Sequence, residues 1–216
     1  MVFPRKRQNG RSGPSLSDFQ EGTLIKIREN GTLVDFYVAK HDYESSLNGS
    51  GRTLVVRKDL YDSRAWDNGN VNAYASSDLS SWFNSTYRNM LDADIRSLIG
   101  TTKIRYTPGN GNWTVRTLER AVFALSATEL GQSASWFNVE GSALPIANTL
   151  KVAYLNWSAN PQWTRSPITN GTDGAVYLSF NGNLGNSYCG SLIGYRPAFT
   201  LPADLPVDPD TMEVIA

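Results

Sequence analysis

The chain holds one histidine, His41, and one cysteine, Cys189, and those two counts decide most of what its side chains can do chemically. A metal centre built on two histidines, or on several thiolates, has no ligand set within one chain. A Ser-His-Asp triad would have to use His41, and no serine stands in a G-x-S-x-G elbow. In the run HDYE, His41 reads as a hydrogen-bonded loop residue rather than a base. The pairs Asp42 with Glu44 and Asp92 with Asp94 read as surface charge, because nothing in the sequence carries two carboxylates into an apolar cleft. Asp208-Pro209-Asp210 lacks the further oxygen ligands of a calcium loop and reads as part of a solvated tail. Gly100, Gly109 and Gly111 lack the lysine and strand-to-helix context of a phosphate cradle. The expectation is a chain with no catalytic residue, no metal and no cofactor, and hence not an enzyme.

Chemistry of contact is better represented. The interval 169–195 is filled with Asn, Ser, Thr, Tyr and Gly, residues that make adaptable hydrogen bonds and low-entropy contact area in binding loops, and Asp173 is its only carboxylate. The candidate contacts are Tyr154, Asn156, Thr164, Ile168, Thr169, Tyr177, Ser179, Asn181, Asn183, Asn186, Ser187, Tyr188 and Ser191. Arg165, Arg196 and Pro197 are read as the frame that holds them. Of the six tryptophans, Trp136 and Trp157 lie in polar surroundings and are the candidates for a surface plate on which a sugar ring could stack. From Thr164 to Thr211 the chain contains no Lys, Glu, Gln, Met or Trp, although these types make up 26 of the 216 residues. A loop-rich β region that avoids long side chains is one explanation.

At 216 residues and 40% hydrophobic, the chain is long enough for one sizeable core and short for two. Twenty basic and twenty acidic side chains cancel, so no overall field draws the protein to nucleic acid or another polyanion. No apolar run reaches the length of a membrane span, and the basic start MVFPRKRQNGRSGPS is not followed by the apolar core of a secretory signal. Residues 1–21 are read as a flexible basic arm, 22–202 as the folded domain with a distinct C-terminal region at 163–202, and 203–216 as a tail.

The elements that must position the contacts follow from local chemistry. GTLIKI (22–27) and TLVDFYVAK (32–40) flank Asn30-Gly31 and predict a hairpin. RTLVVRK (52–58) predicts a third strand with Leu54 and Val56 on one side. Ser77 is the expected cap of a three-turn helix carrying Leu79, Trp82, Phe83 and Tyr87, and Leu91, Ile95, Leu98 and Ile99 mark a second, shorter one stopped at Gly100. Two short strands are expected around Pro108-Gly109-Asn110-Gly111, a buried strand in RAVFAL (120–125), and a helical turn with a capping box between Ser126 and Glu129. Further strands are expected at 175–180 and 195–201. The sum is an α+β chain with few helices and many short strands.

The pieces W-T-R-S-P (163–167) and G-Y-R-P-A-F-T-L (194–201), with A-V-Y-L and an N-G turn between them, resemble the end of C-type-lectin-like domains of the formylglycine-generating-enzyme type. Upstream pieces such as AKHDY, GRTLVVRKDLYD, NAYASSDLSSWFN and VFALSATELG extend the likeness over residues 22–201, toward an uncharacterised branch found in gut bacteria and their phages. The resemblance implies a C-type lectin-like fold of short twisted antiparallel strands, two helices and long loops. It is also similar to the variable proteins of diversity-generating retroelements, in which mutation at adenines rewrites codons near the C-terminus. An AAC codon treated so never yields Lys, Glu, Gln, Met or Trp, the five types missing from Thr164 to Thr211. Catalysis does not carry over, since the formylglycine-generating enzymes use a pair of cysteines on copper and the related sulfoxide synthases a histidine-ligated iron. The resemblance thus implies a non-catalytic receptor-binding protein of a phage tail or bacterial exterior, recognising a host-surface protein or glycan, as a homo-oligomer or attached to a particle through its N-terminal arm. A structural tail or decoration subunit with a lectin-like spacer is the alternative.

Overall fold

The computed structural model describes residues 13–216, so the basic residues of the expected arm, Arg5, Lys6, Arg7 and Arg11, lie outside the described residues. In chain order the strands are β1 (Leu24–Glu29), β2 (Thr32–His41), β3 (Arg52–Arg57), β4 (Asp62–Arg64), β5 (Thr102–Tyr106), β6 (Arg116–Arg120) and β7 (Val122–Phe123). They continue with β8 (Ala153–Leu155), β9 (Ser158–Asn160), β10 (Gln162–Pro167), β11 (Gly174–Leu178), β12 (Leu184–Tyr188), β13 (Ile193–Tyr195) and β14 (Ala198–Pro202). Two five-stranded sheets, ordered β1-β2-β3-β14-β7 and β12-β11-β10-β13-β4, stand beside the two-stranded ladders β5-β6 and β8-β9. The architecture is α+β and mostly sheet. Every strand pair is antiparallel except β10 with β13, which run parallel through Gln162 and Gly194.

Local chemistry accounts for the opening elements. Asn30 and Gly31 take φ of 50° and 76°, the positive pair a two-residue hairpin turn needs, and Glu29 faces Thr32 across it. In β1, Ile25 and Ile27 are buried while Lys26 and Arg28 are half-exposed, the alternation of a strand with one covered face. In β3, Thr53, Leu54, Val55 and Val56 are all buried, because the strand lies between β2 and β14 with cover on both sides.

Ser77 Oγ accepts the Ser80 N–H at 3.1 Å and caps the main helix as expected. That helix runs as an α-turn at Asp78–Trp82, a π-turn at Phe83–Tyr87 and a last α-turn at Arg88–Met90. Leu79, Phe83 and Tyr87 enter the core, as does Ile95 of the second helix, Ala93–Leu98. Single turns at Ser45–Asn48 and Ala147–Leu150 complete the helical content of any length. The main core gathers both sheets and the helix, with Phe36, Val55, Phe83, Trp163, Leu178, Tyr195 and Phe199 among its members, and a smaller cluster joins Ala127, Phe137 and Val176.

Three expectations need correction. The strand foreseen at 195–201 is two strands in different sheets, because Pro197 offers no N–H to a ladder and the chain crosses there from β13 to β14. The segment 13–21 is not a free arm: Leu16 is fully buried, and its N–H donates to Leu205 O at 2.8 Å. Nor is 203–216 a free tail, since Val207 and Val214 are buried and Arg28 holds Glu213 at 2.6 Å. Apolar side chains in both segments find cover against β1 and each other, which their polar surroundings in the sequence conceal. Among the described residues no helix is long and apolar enough to cross a membrane.

Candidate binding surface

The surface begins from a strand with no surface of its own. All six residues of β10 are buried, and at its centre Arg165 spends its guanidinium wholly on the protein. Nη1 and Nη2 donate to the two oxygens of Glu129 at 2.6 and 2.9 Å, Nε donates to Arg105 O at 2.9 Å, and Nη1 reaches Ala124 O at 3.0 Å. Glu129 also accepts from the Tyr43 hydroxyl and from Ser126 N–H at 2.8 Å, while Ser126 Oγ accepts Glu129 N–H at 3.0 Å. The capping box is therefore present in a single turn, and its carboxylate anchors Arg165 as well. Burial alone would lower the Arg165 pKa, but Glu129, Tyr43 and Glu140 around it raise it. Burial raises Glu140, against the pull of Arg165, Ser166 and Thr107. Arg165, Glu129 and Glu140 have no solvent access, so the cluster fixes the fold and meets no ligand.

Two more buried clamps hold the loops around β10. Asn72, fully buried, donates through Nδ2 to the carbonyls of Ile168, Gly171 and Gly174 at 3.2, 3.0 and 3.0 Å and accepts Asn110 N–H at 2.8 Å. It fixes the β10–β11 loop. At the crossing between sheets, Arg196 donates to Gln162 Oε1 at 2.8 Å and to Lys58 O at 3.2 Å, and burial pulls its pKa down to about 10.

The candidate contacts divide around this frame. Thr164 is a correction: it is fully buried, its hydroxyl donating to Val176 O at 2.9 Å, because both faces of β10 are covered. Ile168 packs against the Ala127, Phe137 and Val176 cluster, and Thr169, Ser187 and Ser191 are half-buried. Tyr177 is half-buried edge-on to Trp163, filling the space that a side chain at Gly185 would need. Gly185 faces Tyr177 and Asn186 faces Val176, so strand alternation puts Tyr177 on one face of the sheet and Asn186 and Tyr188 on the other. Ser179 is half-buried, and its hydroxyl is held by Asn181 Oδ1 at 2.5 Å in the β11–β12 turn; Asn181, Asn183, Asn186 and Tyr188 are exposed. They form an edge-strand patch.

Tyr154 and Asn156 belong to a different place, the β8–β9 hairpin. Asn156 and Trp157 are its two turn residues, with φ of 50° and 68°, a conformation bulky side chains rarely adopt. The turn throws the Trp157 indole outward until it is 99% exposed, with Tyr154 on the same hairpin at 47%. The hairpin is tied down where Leu60 N–H donates to Tyr154 O at 2.9 Å. Between it and the first sheet lies a cleft of about 660 Å³, with Tyr154 and Trp157 on one side and Lys26, Asp35 and Lys58 on the other. Burial works against ionisation of Asp35, yet Lys26 at 2.8 Å and Lys58 at 3.6 Å outweigh it and hold the carboxyl below its ordinary range. Arg57, also in the wall, is paired with Glu29 at 3.1 Å. Trp157 was legible as a surface candidate but not as a contact, since an Asn-Trp turn carries no hairpin signature. Trp136, the other candidate plate, is half-buried against Phe137.

The residues of reactive type lie elsewhere. His41 Nε2–H donates to Phe19 O at 2.9 Å and Nδ1 shares a hydrogen bond of 2.8 Å with Thr53 Oγ1, which is a bridging role between segments. Cys189 is buried, and burial, with Asp67 and Asp173 nearby, pushes its thiol up to about 12. Among the described residues no three His, Cys, Asp or Glu side chains come together in a way that could hold a metal ion.

Residues 50–203 match the model of a family described as a domain of unknown function, DUF6273. The chain belongs to the DUF6273 family. No curated protein and no solved structure matches it. The DUF6273 match takes in β3 to β14, and with them the β8–β9 hairpin, the edge-strand patch and the Lys58 part of the cleft wall. Lys26 and Asp35, on β1 and β2, precede it.

Proposed function

We propose that this DUF6273 protein is a recognition protein of C-type lectin-like fold that binds a receptor on a host surface, protein or glycan, and transforms nothing. The observation that carries the reading is Trp157, a large amphipathic side chain held almost fully in solvent by a turn that is costly for its type. Exposed Trp and Tyr side chains on a rigid support are what anchor interfaces, because they bring contact area with little rotamer entropy to lose. Leu60 N–H on Tyr154 O, and Arg196 on Gln162 and Lys58 beside the hairpin, supply that support. Adsorption of fluorescently labelled protein to a panel of bacterial cells tests the reading: binding to a subset of strains is expected, lost in the Tyr154→Ala/Trp157→Ala double variant, whereas adsorption unchanged by the double variant overturns it.

The exposed Asn181, Asn183, Asn186 and Tyr188 support a second element of the same proposal, a C-terminal face diversified by a retroelement, on a phage tail or bacterial exterior. The absence of five residue types from Thr164 to Thr211 supports it. Sequencing the flanking DNA tests it: a reverse transcriptase and a near-copy of the final coding segment differing at adenines are expected, and their absence removes the diversification while leaving the hairpin site.

A further inference from the structure

Resting on the recognition reading, we infer that the cleft behind the β8–β9 hairpin takes the end of an uncharged oligosaccharide, with one pyranose lying against the aromatic rings of Trp157 and Tyr154. The first support is shape. A pyranose has an apolar C–H face that fits a flat ring whose electron-rich side attracts it, and Trp157 offers such a face at the mouth of the cleft, 99% exposed. The volume of about 660 Å³ lies within the range of roughly 300 to 1,000 Å³ usual for small-ligand sites.

The second support is the order of donors and acceptors behind the ring. Lys26, Asp35 and Lys58 stand in a row, the carboxylate between two ammonium groups, and Asn156 closes the rim with an amide that both donates and accepts. Lys26 gives one of its three N–H bonds to Asp35 and keeps the others for a ligand, while Lys58, an ion-pair partner at 3.6 Å, makes no hydrogen bond to it. A sugar hydroxyl donates and accepts at once, so neighbouring hydroxyls can follow an alternating row that a purely donating or purely accepting ligand cannot.

Charge decides between saccharide classes. Lys26, Arg57 and Lys58 in the wall meet Asp35 and Asp59 there and Glu29 just behind, on Arg57. The positive and negative groups balance, which leaves no surplus to hold a uronate, sulfate or phosphate, nor a basic peptide. Insertion of Trp157 into a pocket on a protein partner would use the ring and leave this polar row unfilled.

A printed array bearing neutral oligosaccharides that end in hexose, 6-deoxyhexose or N-acetylhexosamine, beside uronate-ended and sulfated ones, tests the inference, with calorimetry on the strongest binder. Binding to neutral glycans is expected, weakened about tenfold or more by Trp157→Ala, several-fold by Lys58→Met, and unchanged by Val139→Ala, an exposed side chain outside both candidate surfaces, with melting temperatures unaltered. No glycan bound, binding to anionic glycans alone, or binding indifferent to Trp157→Ala overturns it. Cell adsorption separates this from the broader reading. Loss after periodate treatment of the cells, with protease treatment harmless, is expected. The converse, with Trp157 still required, overturns the saccharide and leaves receptor recognition standing.

Discussion

Strand β10 and the β8–β9 hairpin are joined by a single residue, Pro161, and are opposites in what their side chains do. In β10 all six side chains are buried and the polar ones are spent inside the protein, Arg165 on Glu129, Thr164 on Val176 O. In the hairpin the largest side chain, Trp157, touches almost nothing. A polar residue is thus a poor guide to an exposed surface in this fold, because buried strands here are full of satisfied polar groups, whereas the proposed site rests on an exposed aromatic residue in a turn of positive φ. On the proposed function, stability and recognition are separable by mutation.

The contrast breaks most visibly at Arg165. Replacing it, as in Arg165→Met, leaves Glu129 buried without its cation, and a loss of about 3 to 5 kcal/mol is expected in urea unfolding; a loss below about 1 kcal/mol would show that the cluster does not hold the frame. Asn72→Ala strands the Ile168 and Gly171 carbonyls and the Asn110 N–H around the β10–β11 loop, while Gly174 O keeps the Ile168 N–H, for an expected loss of about 2 to 4 kcal/mol in the same measurement.

A smaller, pH-dependent effect belongs to Glu140. Burial lifts its folded pKa above the ordinary 4.5, so folding takes up a proton between 4.5 and the raised value. The stability it contributes is full below 4.5 and is lost as pH rises through the raised value. Glu140→Gln keeps an oxygen for Thr107 N–H and removes the titration. Its melting temperature should gain on the wild type as pH climbs from about 4 to about 7, and a difference that stays flat would contradict the assignment. Smallest of all is the effect of Trp157→Ala on stability, expected within about 0.5 kcal/mol, although the same change is expected to weaken binding about tenfold or more.

What was legible in the sequence was local. Asn30-Gly31, the Ser77 cap and the Ser126 to Glu129 box each rest on a few neighbouring residues, and each stands as read. That Glu129 also grips Arg165, 36 residues away, has no local sign. Asn72 looks like any loop asparagine until Ile168, Gly171 and Gly174 come to it. Thr164 was misplaced because a polar side chain on a strand suggests an outer face, and β10 has none. Pro197 carried its own warning, since a residue without an N–H ends a ladder, yet the apolar run on either side made one strand the natural reading.

The central claim is that the anchoring contact belongs to the hairpin, whatever the edge-strand face adds to it, and hydroxyl-radical footprinting of the protein on cells that adsorb it tests this most directly. Protection of Trp157 and Tyr154 is expected, stronger than any at Tyr188 and Phe180. Protection of Tyr188 and Phe180 while Trp157 stays fully reactive would contradict it.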